Sequence, residues 1–229
     1  MDENQKVSQT LALIKQFCPN YKIVLKSQST VNKVIGWILS KVGNSGYMSD
    51  FFTTLGQTTY VPTCCESAYI PGMWQILMHE GQHAQDAAKI GNVTFGVLYL
   101  LPQLIGVLGI VYAIVMGILL LCGGPLSLLW GLLALVCLAP IPAFGRAYLE
   151  VRGYTVTLAS MYWSGTYNSS VIPWIVGNFT GGAYYWMWPF ASWTTSYFNT
   201  KLQELQNGTF VLTPYLAACK TLSKQINSL

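Results

Sequence analysis

Residues 91–145 contain no charged side chain, and this property constrains the fold more strongly than any other feature of the sequence. The hydrocarbon core of a bilayer, about 30 Å thick, is crossed by about 20 apolar residues in an α-helix, so the stretch is long enough for two spans. The sequence CGGP at 122–125 supplies a break between them. We therefore expect a transmembrane helical hairpin with spans near 94–121 and 126–144. The alternative is a hairpin buried in a soluble or oligomeric assembly.

The composition of the whole chain agrees with this expectation and excludes some functions. Charged residues make up 9% of the chain, against about 25% in an ordinary soluble domain. The net charge of +4 comes from scattered lysines rather than from a basic run, so nucleic acid binding is not expected. The six cysteines, including the adjacent Cys64 and Cys65, form no C-x-x-C motif and are expected to be reduced thiols.

A hairpin places its two outer ends on the same side of a membrane, so the parts of the chain before and after it can build one domain together. We therefore divide the chain into an N-terminal half at 1–90, the apolar hairpin at 91–145 and a C-terminal half at 146–229. Lys89 and Arg146 bracket the hairpin, and basic residues mark the cytoplasmic-type side of a membrane. The predicted location is integral membrane, with both termini on that side.

Hydrophobic periodicity and turn residues predict the other elements. In the N-terminal half we expect helices at 4–17, 29–42 and 72–89, and strands at 21–27 and 51–62. The strand at 51–62 is rich in Thr and aromatic residues and ends at a proline, which suits an edge strand.

In the C-terminal half, residues 145–163 predict a helix despite Gly153. The aromatic-rich stretch at 171–190 predicts interfacial helices or the lining of a pocket. The predicted fold class is α+β, mostly helical with a short edge-strand sheet, interrupted by the apolar hairpin.

The predicted helix at 72–89 contains both histidines of the chain, in the motif H-E-x-x-H formed by His79, Glu80 and His83. Side chains four residues apart lie one turn apart on the same face of a helix, so both imidazoles can reach one ion. Zinc accepts neutral imidazole nitrogen well, although manganese or cobalt can occupy a similar ligand set. Glu80 lies at the edge of that face, where it can accept a proton from a water molecule on the metal.

A third ligand has to be something other than histidine. Asp86 lies about 10 Å along the helix axis from His79 at a rise of about 1.5 Å per residue, which is too far for one shared ion. Glu66 is possible, in a loop upstream. Glu150 is favoured because it lies on the first helix after the hairpin, where the chain returns to the histidine helix.

Arg146 and Tyr154 flank Glu150 at i−4 and i+4, on the same face of its predicted helix. They are candidates for holding the carboxylate or for contacting a tetrahedral intermediate. The alternative for Glu150 is an ion pair with Arg146 or Arg152 at the membrane surface.

The motif His79-Glu80-x-x-His83 followed by a helical glutamate resembles the gluzincin branch of the zincin metallopeptidases, in its minimal forms. This resemblance implies a minimal zincin domain in which the strand at 51–62 runs beside the active-site helix and binds extended peptide by edge pairing. Together, LMHEGQHAQD, RAYLEVRGY and GGAYYWMWPF also resemble predicted metallopeptidases of tailed phages, some of them virion-associated. The hairpin departs from most minimal gluzincins, and their N-E-x-x-[SA]-D motif is absent.

The sequence therefore favours a membrane-anchored zinc endopeptidase. His79, His83 and Glu150 are the expected zinc ligands, Glu80 is the expected base, and Tyr154 or Arg146 is the expected oxyanion donor. The expected partners are a protein or peptide substrate, and a bilayer or apolar partner subunits through residues 93–144. Two alternatives stay open: a non-catalytic, zinc-stabilised membrane or virion protein with a structural or ejection role, and a metal-free membrane protein.

Overall fold

A computed structural model gives the fold of the protein and describes residues 1–41, 45–65, 68–138, 142–182 and 186–228. Within these residues the chain is mostly helical, with one small β-sheet. The α-helices are α1 (Glu3–Phe17), α2 (Thr30–Lys41), α3 (Met73–Ile90), α4 (Asn92–Leu121), α5 (Phe144–Trp163), α6 (Val171–Thr180), α7 (Ala191–Asn207) and α8 (Pro214–Asn227), and the strands are β1 (Lys22–Leu25), β2 (Thr53–Leu55) and β3 (Thr58–Val61).

The helix α1 forms where the sequence predicts it, and its start is fixed by a capping box. The side chain of Asp2 accepts from the backbone N–H of Gln5, and the Gln5 side chain accepts from the backbone N–H of Asp2. These two bonds satisfy amide groups that a helix start leaves unpaired. The apolar face of α1 buries Val7, Leu13 and Ile14 against the core.

The three strands form one sheet in the order β1-β3-β2. β1 pairs with β3 in parallel, and β2 pairs with β3 antiparallel. The single strand predicted at 51–62 is therefore wrong, because Gly56 adopts a φ of +63° and folds this stretch into a hairpin. β2 lies at the edge of the sheet, and β3 lies at its centre.

Helix α3 is the central element of the fold. Its residues are buried almost continuously to Ala87, and it packs against α1, α5 and the sheet. The contact with α1 and α8 is close at Gly81, where an added Cβ would lie 2.3 Å from the Tyr215 hydroxyl and 2.8 Å from Ile14. That hydroxyl donates to the carbonyl of Met78 at 2.8 Å. These contacts hold the helix that carries both histidines.

The prediction of a transmembrane hairpin is wrong. Among the residues that the structure describes, no helix combines the length and the apolar composition that crossing a bilayer requires. α4 begins directly after α3, and its first turns pack on α5 through Phe95, which is 3% exposed. The second arm forms a 3₁₀ helix, Leu126–Leu138, and residues 139–141 lie outside the described part of the chain.

This finding overturns the expected integral membrane location together with the hairpin. The absence of charge in 91–145 predicted an element in contact with lipid. The described structure instead uses the start of that stretch to cover α3 and α5.

Helix α5 forms as predicted, and the rest of the C-terminal half contributes to the core rather than forming only interfacial helices. Phe179 on α6 and Phe198 on α7 are fully buried and contact each other edge to face. Trp174 and Trp186 are about half exposed. Tyr184 and Tyr185, part of the aromatic-rich stretch, lie outside the described residues.

Candidate metal centre

The two histidines lie on one face of α3, as their spacing predicts. Their Nε2 atoms are 3.0 Å apart, and the two rings meet edge to face. Both side chains are buried, His79 at 8% exposed and His83 at 4%. The helix therefore presents two imidazole nitrogens to the same point in space.

Glu150 joins this pair from α5. Its Oε2 lies 3.5 Å from Nε2 of His79, and its Oε1 lies 3.9 Å from Nε2 of His83. A tetrahedral ion with bonds of about 2.0–2.1 Å holds its ligand atoms about 3.3 Å apart, so these separations fit one ion after small side-chain shifts. His79, His83 and Glu150 could hold a metal ion.

A hydrogen bond from the His79 ring supports this fit. Nδ1 of His79 lies 3.1 Å from Oγ1 of Thr157, and that hydroxyl donates to the carbonyl of Gly153. The Thr157 hydroxyl can therefore accept from Nδ1 of His79. In that tautomer the lone pair of His79 lies on Nε2, where a metal would bind.

Gly153 allows α5 to approach the histidine helix closely. An added Cβ at this position would lie 2.5 Å from Nε2 of His79 and within 2.8 Å of two ring carbons. Such separations are shorter than van der Waals contact. A glycine is therefore present inside α5 at this position because the His79 ring packs on its backbone and leaves no room for a side chain.

The carboxylate of Glu150 is held as an anion. Burial alone would raise its pKa, but the hydrogen bond from His79 and the charges of His83, His79 and Arg146 together lower the pKa to about 2. Tyr99, on α4, donates its hydroxyl proton to Oε1 of Glu150 at 2.5 Å. The guanidinium of Arg146 lies over the Tyr99 ring, 4.7 Å from its centroid.

The pKa of His83 is shifted in favour of the neutral ring. Burial lowers the pKa of its imidazole, and this effect exceeds the opposing charge of Glu150. The neutral form of the ring keeps a lone pair available to a metal ion.

Glu80 lies beside the three candidate ligands, but its carboxyl has different neighbours and a pKa shifted in the other direction from that of Glu150. Burial raises the pKa of its carboxyl, although His83 and a hydrogen bond from Thr54 oppose this effect. Oε2 of Glu80 accepts that bond from Thr54 Oγ1, on β2, at 2.6 Å. The two glutamates near the histidines therefore have pKa values shifted in opposite directions.

The alternative ligands and ion pairs of the sequence analysis lie elsewhere. Asp86 forms a bidentate ion pair with Arg152 on α5, with the shortest N–O distance at 2.8 Å. Arg152 thus pairs with Asp86 rather than with Glu150. Glu66 lies outside the described residues.

Tyr154 lies next to the centre. Its ring meets the His79 ring edge to face, with centroids 4.7 Å apart, and its hydroxyl accepts a hydrogen bond from Nδ2 of Asn178 on α6 at 2.9 Å. Arg146 reaches the centre through its charge and its contact with the Tyr99 ring. An oxyanion role for either side chain stays a prediction.

Sequence reasoning missed several residues around the centre. Thr157 and Gly153 share the face of α5 that carries Glu150, at i+7 and i+3, so helical periodicity contained a signal for both. Tyr99 was assigned to the apolar hairpin, and nothing local links it to Glu150. The contact from Thr54 depends on how β2 packs against α3 and has no local signal.

No protein-family model, curated protein or solved structure matches this chain. The resemblance to gluzincins, including those of tailed phages, therefore stays an expectation based on the motif.

Proposed function

We propose that this protein is a zinc-dependent hydrolase that cleaves peptide bonds. One observation carries the proposal: His79, His83 and Glu150 converge from two helices on one point, with Glu80 beside them. Three protein ligands leave one position of a tetrahedral ion open, which is the arrangement of catalytic rather than structural zinc sites.

The ligand types favour zinc. Two neutral imidazoles and one carboxylate form a common catalytic zinc set, whereas magnesium and calcium prefer oxygen ligands alone. The hydrogen bond from His79 to Thr157 and the one from Tyr99 to Glu150 orient two of the three ligands. Such outer partners fix ring orientation and support affinity.

The two glutamates divide the chemistry between them. When bound, the ion would lower the pKa of a coordinated water to about 7 and polarise the carbonyl of the substrate. Glu80, whose pKa is raised by burial, accepts the proton of the attacking water and then donates it to the leaving amine. Glu150 stays anionic and serves as a ligand. Opposite shifts of two neighbouring carboxyls are typical of such a division of roles.

The position of β2 supports a peptide as substrate. This strand uses one edge to pair with β3, and it lies against α3, where Thr54 contacts Glu80. An extended peptide can add to the other edge of such a strand through main-chain hydrogen bonds. A peptide bound there would run past Glu80.

Tyr154 and Arg146 remain the candidates for contacting the oxyanion of the tetrahedral intermediate. The phenol of Tyr154 and the guanidinium of Arg146 are both donors. Tyr154 is the stronger candidate, because its ring already packs against the metal-facing ring of His79.

The test compares the zinc-loaded wild type with Glu80→Gln in a library of internally quenched peptides. Glu80→Gln should keep one zinc per chain and lose activity by a factor of about 10³, since general-base groups contribute about 10² to 10⁴. His83→Ala should lose both zinc and activity. Glu204→Gln, which removes a partly exposed carboxylate paired with Lys201 on α7, is the matched control and should keep both. Full activity in Glu80→Gln, or none in the zinc-loaded wild type, would overturn the proposal.

A second candidate function is a zinc site that only stabilises the fold. It is favoured by the burial of the centre, since all three candidate ligands are less than a tenth exposed. This candidate predicts that His83→Ala lowers stability and that the wild type cleaves no peptide. Glu80 has no role in it, so peptide cleavage by the zinc-loaded wild type that is lost in Glu80→Gln distinguishes the first function from the second.

A further inference from the structure

A chain of three hydroxyl groups leads through the sheet to Glu80. The Tyr21 hydroxyl donates to Thr59 Oγ1 at 2.7 Å, Thr59 and Thr54 Oγ1 are 2.6 Å apart, and Thr54 donates to Glu80 Oε2 at 2.6 Å. Tyr21 directly precedes β1, Thr59 lies on β3, and Thr54 lies on β2. The chain therefore crosses the sheet in its strand order and ends on α3.

The direction of the chain follows from its two ends. An ionised carboxylate only accepts, so the single hydroxyl proton of Thr54 is used on Glu80. At the other end Tyr21 donates to Thr59. Thr59 is therefore the donor in the contact with Thr54. All three hydroxyls point their protons towards Glu80, and bonds aligned in this way strengthen one another.

The hydroxyl chain is buried throughout its length. Tyr21 is 2% exposed, Thr59 is fully buried and Thr54 is 9% exposed. Thr54 and Thr59 are directly opposite each other in the antiparallel register of β2 and β3. Valine would fill either position with nearly the same shape, so packing alone does not require a hydroxyl there.

We propose that Thr54 is a positioning residue for Glu80 and that Thr59 and Tyr21 hold Thr54 in place. The inference rests on the proposed function, since positioning Glu80 matters only if Glu80 accepts a proton. By binding Oε2, the hydroxyl of Thr54 fixes the rotation of the carboxylate. Oε1 is then directed to the attacking water. A base held in one rotation keeps the reacting atoms aligned.

The test compares turnover and zinc content in Thr54→Val, Thr54→Ser and Thr59→Val with those of the wild type. Thr54→Val should lower kcat by about 10 to 100-fold, as outer partners of metal sites do, and leave KM and zinc content within about two-fold. Thr54→Ser, which keeps the hydroxyl, should restore most of kcat. Thr59→Val should also lower kcat, but by less than Thr54→Val. If Thr54→Val does not fold, the kcat of Thr59→Val decides the outcome.

Thr194→Val is the matched control. Thr194 is fully buried on α7, and its hydroxyl donates to the carbonyl of Phe190. Its replacement removes a buried hydroxyl of the same kind and should leave kcat unchanged. If Thr54→Val keeps the kcat of the wild type, or if Thr54→Ser is as slow as Thr54→Val, the positioning role is overturned while the proposed function stands.

A second readout does not depend on turnover. In crystal structures of the zinc-loaded proteins, Glu80 Oε2 should lie within hydrogen-bond distance of residue 54 in the wild type and in Thr54→Ser, and it should be rotated away in Thr54→Val. If the wild type cleaves no peptide, the proposed function fails, and these structures then decide only whether Thr54 fixes the rotation of the Glu80 carboxylate. An unmoved Glu80 in Thr54→Val would overturn the positioning role.

Discussion

The imidazole of His79 packs directly on the backbone of α5 at Gly153. Even a methyl group at this position should therefore disturb the candidate metal centre. In Gly153→Ala the new Cβ would lie 2.5 Å from Nε2 of His79. The ring must move, and the separation of the three ligand atoms must change with it. We expect zinc affinity to fall by at least about 10-fold, the size of effect that a displaced ligand partner has. Titration with a competing chelator measures this change.

Gly177→Ala is the control for this substitution. Gly177 lies within α6, and an added Cβ there would meet no atom within 4 Å. Alanine is favoured over glycine inside a helix by about 0.5–1 kcal/mol. Gly177→Ala should thus be neutral or stabilising and should bind zinc like the wild type. Unchanged zinc affinity in Gly153→Ala would contradict the close approach of α5 to His79.

Lys26, which directly follows β1, is a buried lysine whose charge interacts with Glu80. It is fully buried, and its Nζ donates to the carbonyl of Tyr47 at 2.6 Å and lies over the Tyr47 ring. Burial lowers the pKa of Lys26 to about 8, against opposing charges on Glu80 and Asp50. Between pH 8 and 10.5 the unfolded chain therefore holds a proton that the folded protein has lost. Stability contributed by this residue should rise with pH across that window.

Lys26→Met tests this prediction. The free energy of unfolding of the wild type relative to Lys26→Met should rise by up to about 3 kcal/mol between pH 7 and pH 10. Urea denaturation of both proteins at each pH measures it, and the titration of cysteines and tyrosines cancels in the difference. Parallel pH curves for the two proteins would contradict a lowered pKa at Lys26.

At the scale of elements, α3 and α5 are joined by the Asp86–Arg152 ion pair as well as by the candidate ligands. Asp86 is 4% exposed, whereas a third of the Arg152 side chain reaches solvent. Arg152→Met leaves a buried carboxylate, which keeps the bond from Gln82 at 3.0 Å but no cation. We expect Arg152→Met to lower the free energy of unfolding by about 2 kcal/mol, less than for a fully buried pair because Arg152 is partly solvated.

The double-mutant cycle isolates this pair from other effects. Asp86→Asn should cost less than Arg152→Met, since it leaves the charge that can reach water. Asp86→Asn combined with Arg152→Met should cost less than the sum of the two single changes. Additive losses would mean that the pair does not tie α3 to α5.

The same two helices illustrate how much the sequence predicted. The spacing of His79 and His83 needs only the helical repeat, and Glu150 could be chosen because its helix follows the apolar stretch. Tyr99 could not be predicted as a partner of Glu150, because their contact depends on how α4 crosses α5.

The absence of charge in 91–145 predicted a transmembrane hairpin because an uncharged apolar stretch of this length is typical of membrane spans. In the structure Phe95, at the start of the stretch, is buried near α5, whereas Leu108 and Leu121 farther along are exposed. Composition alone does not predict that difference.

At the scale of the whole molecule, the candidate ligands join the part of the chain before α4 to the part after it. A zinc ion bound by His79, His83 and Glu150 would therefore link α3 to α5, so binding should stabilise the folded chain as a unit. At a free zinc concentration 100-fold above Kd, the folded state gains about 2.7 kcal/mol. For a chain of this size we expect Tm to rise by about 5–10 °C.

Scanning calorimetry with and without zinc, and with magnesium as the oxygen-preferring control, measures this stabilisation. His83→Ala should lose the increase in Tm, because it removes one ligand of the centre. Cys64→Ser should keep it. This comparison is needed because the Sγ atoms of Cys64 and Cys65 lie 3.3 Å apart, and thiolates are soft ligands that bind zinc. If the increase in Tm survives in His83→Ala but is lost in Cys64→Ser, zinc stabilises the protein through the cysteines, and the histidine centre does not link the two halves of the chain.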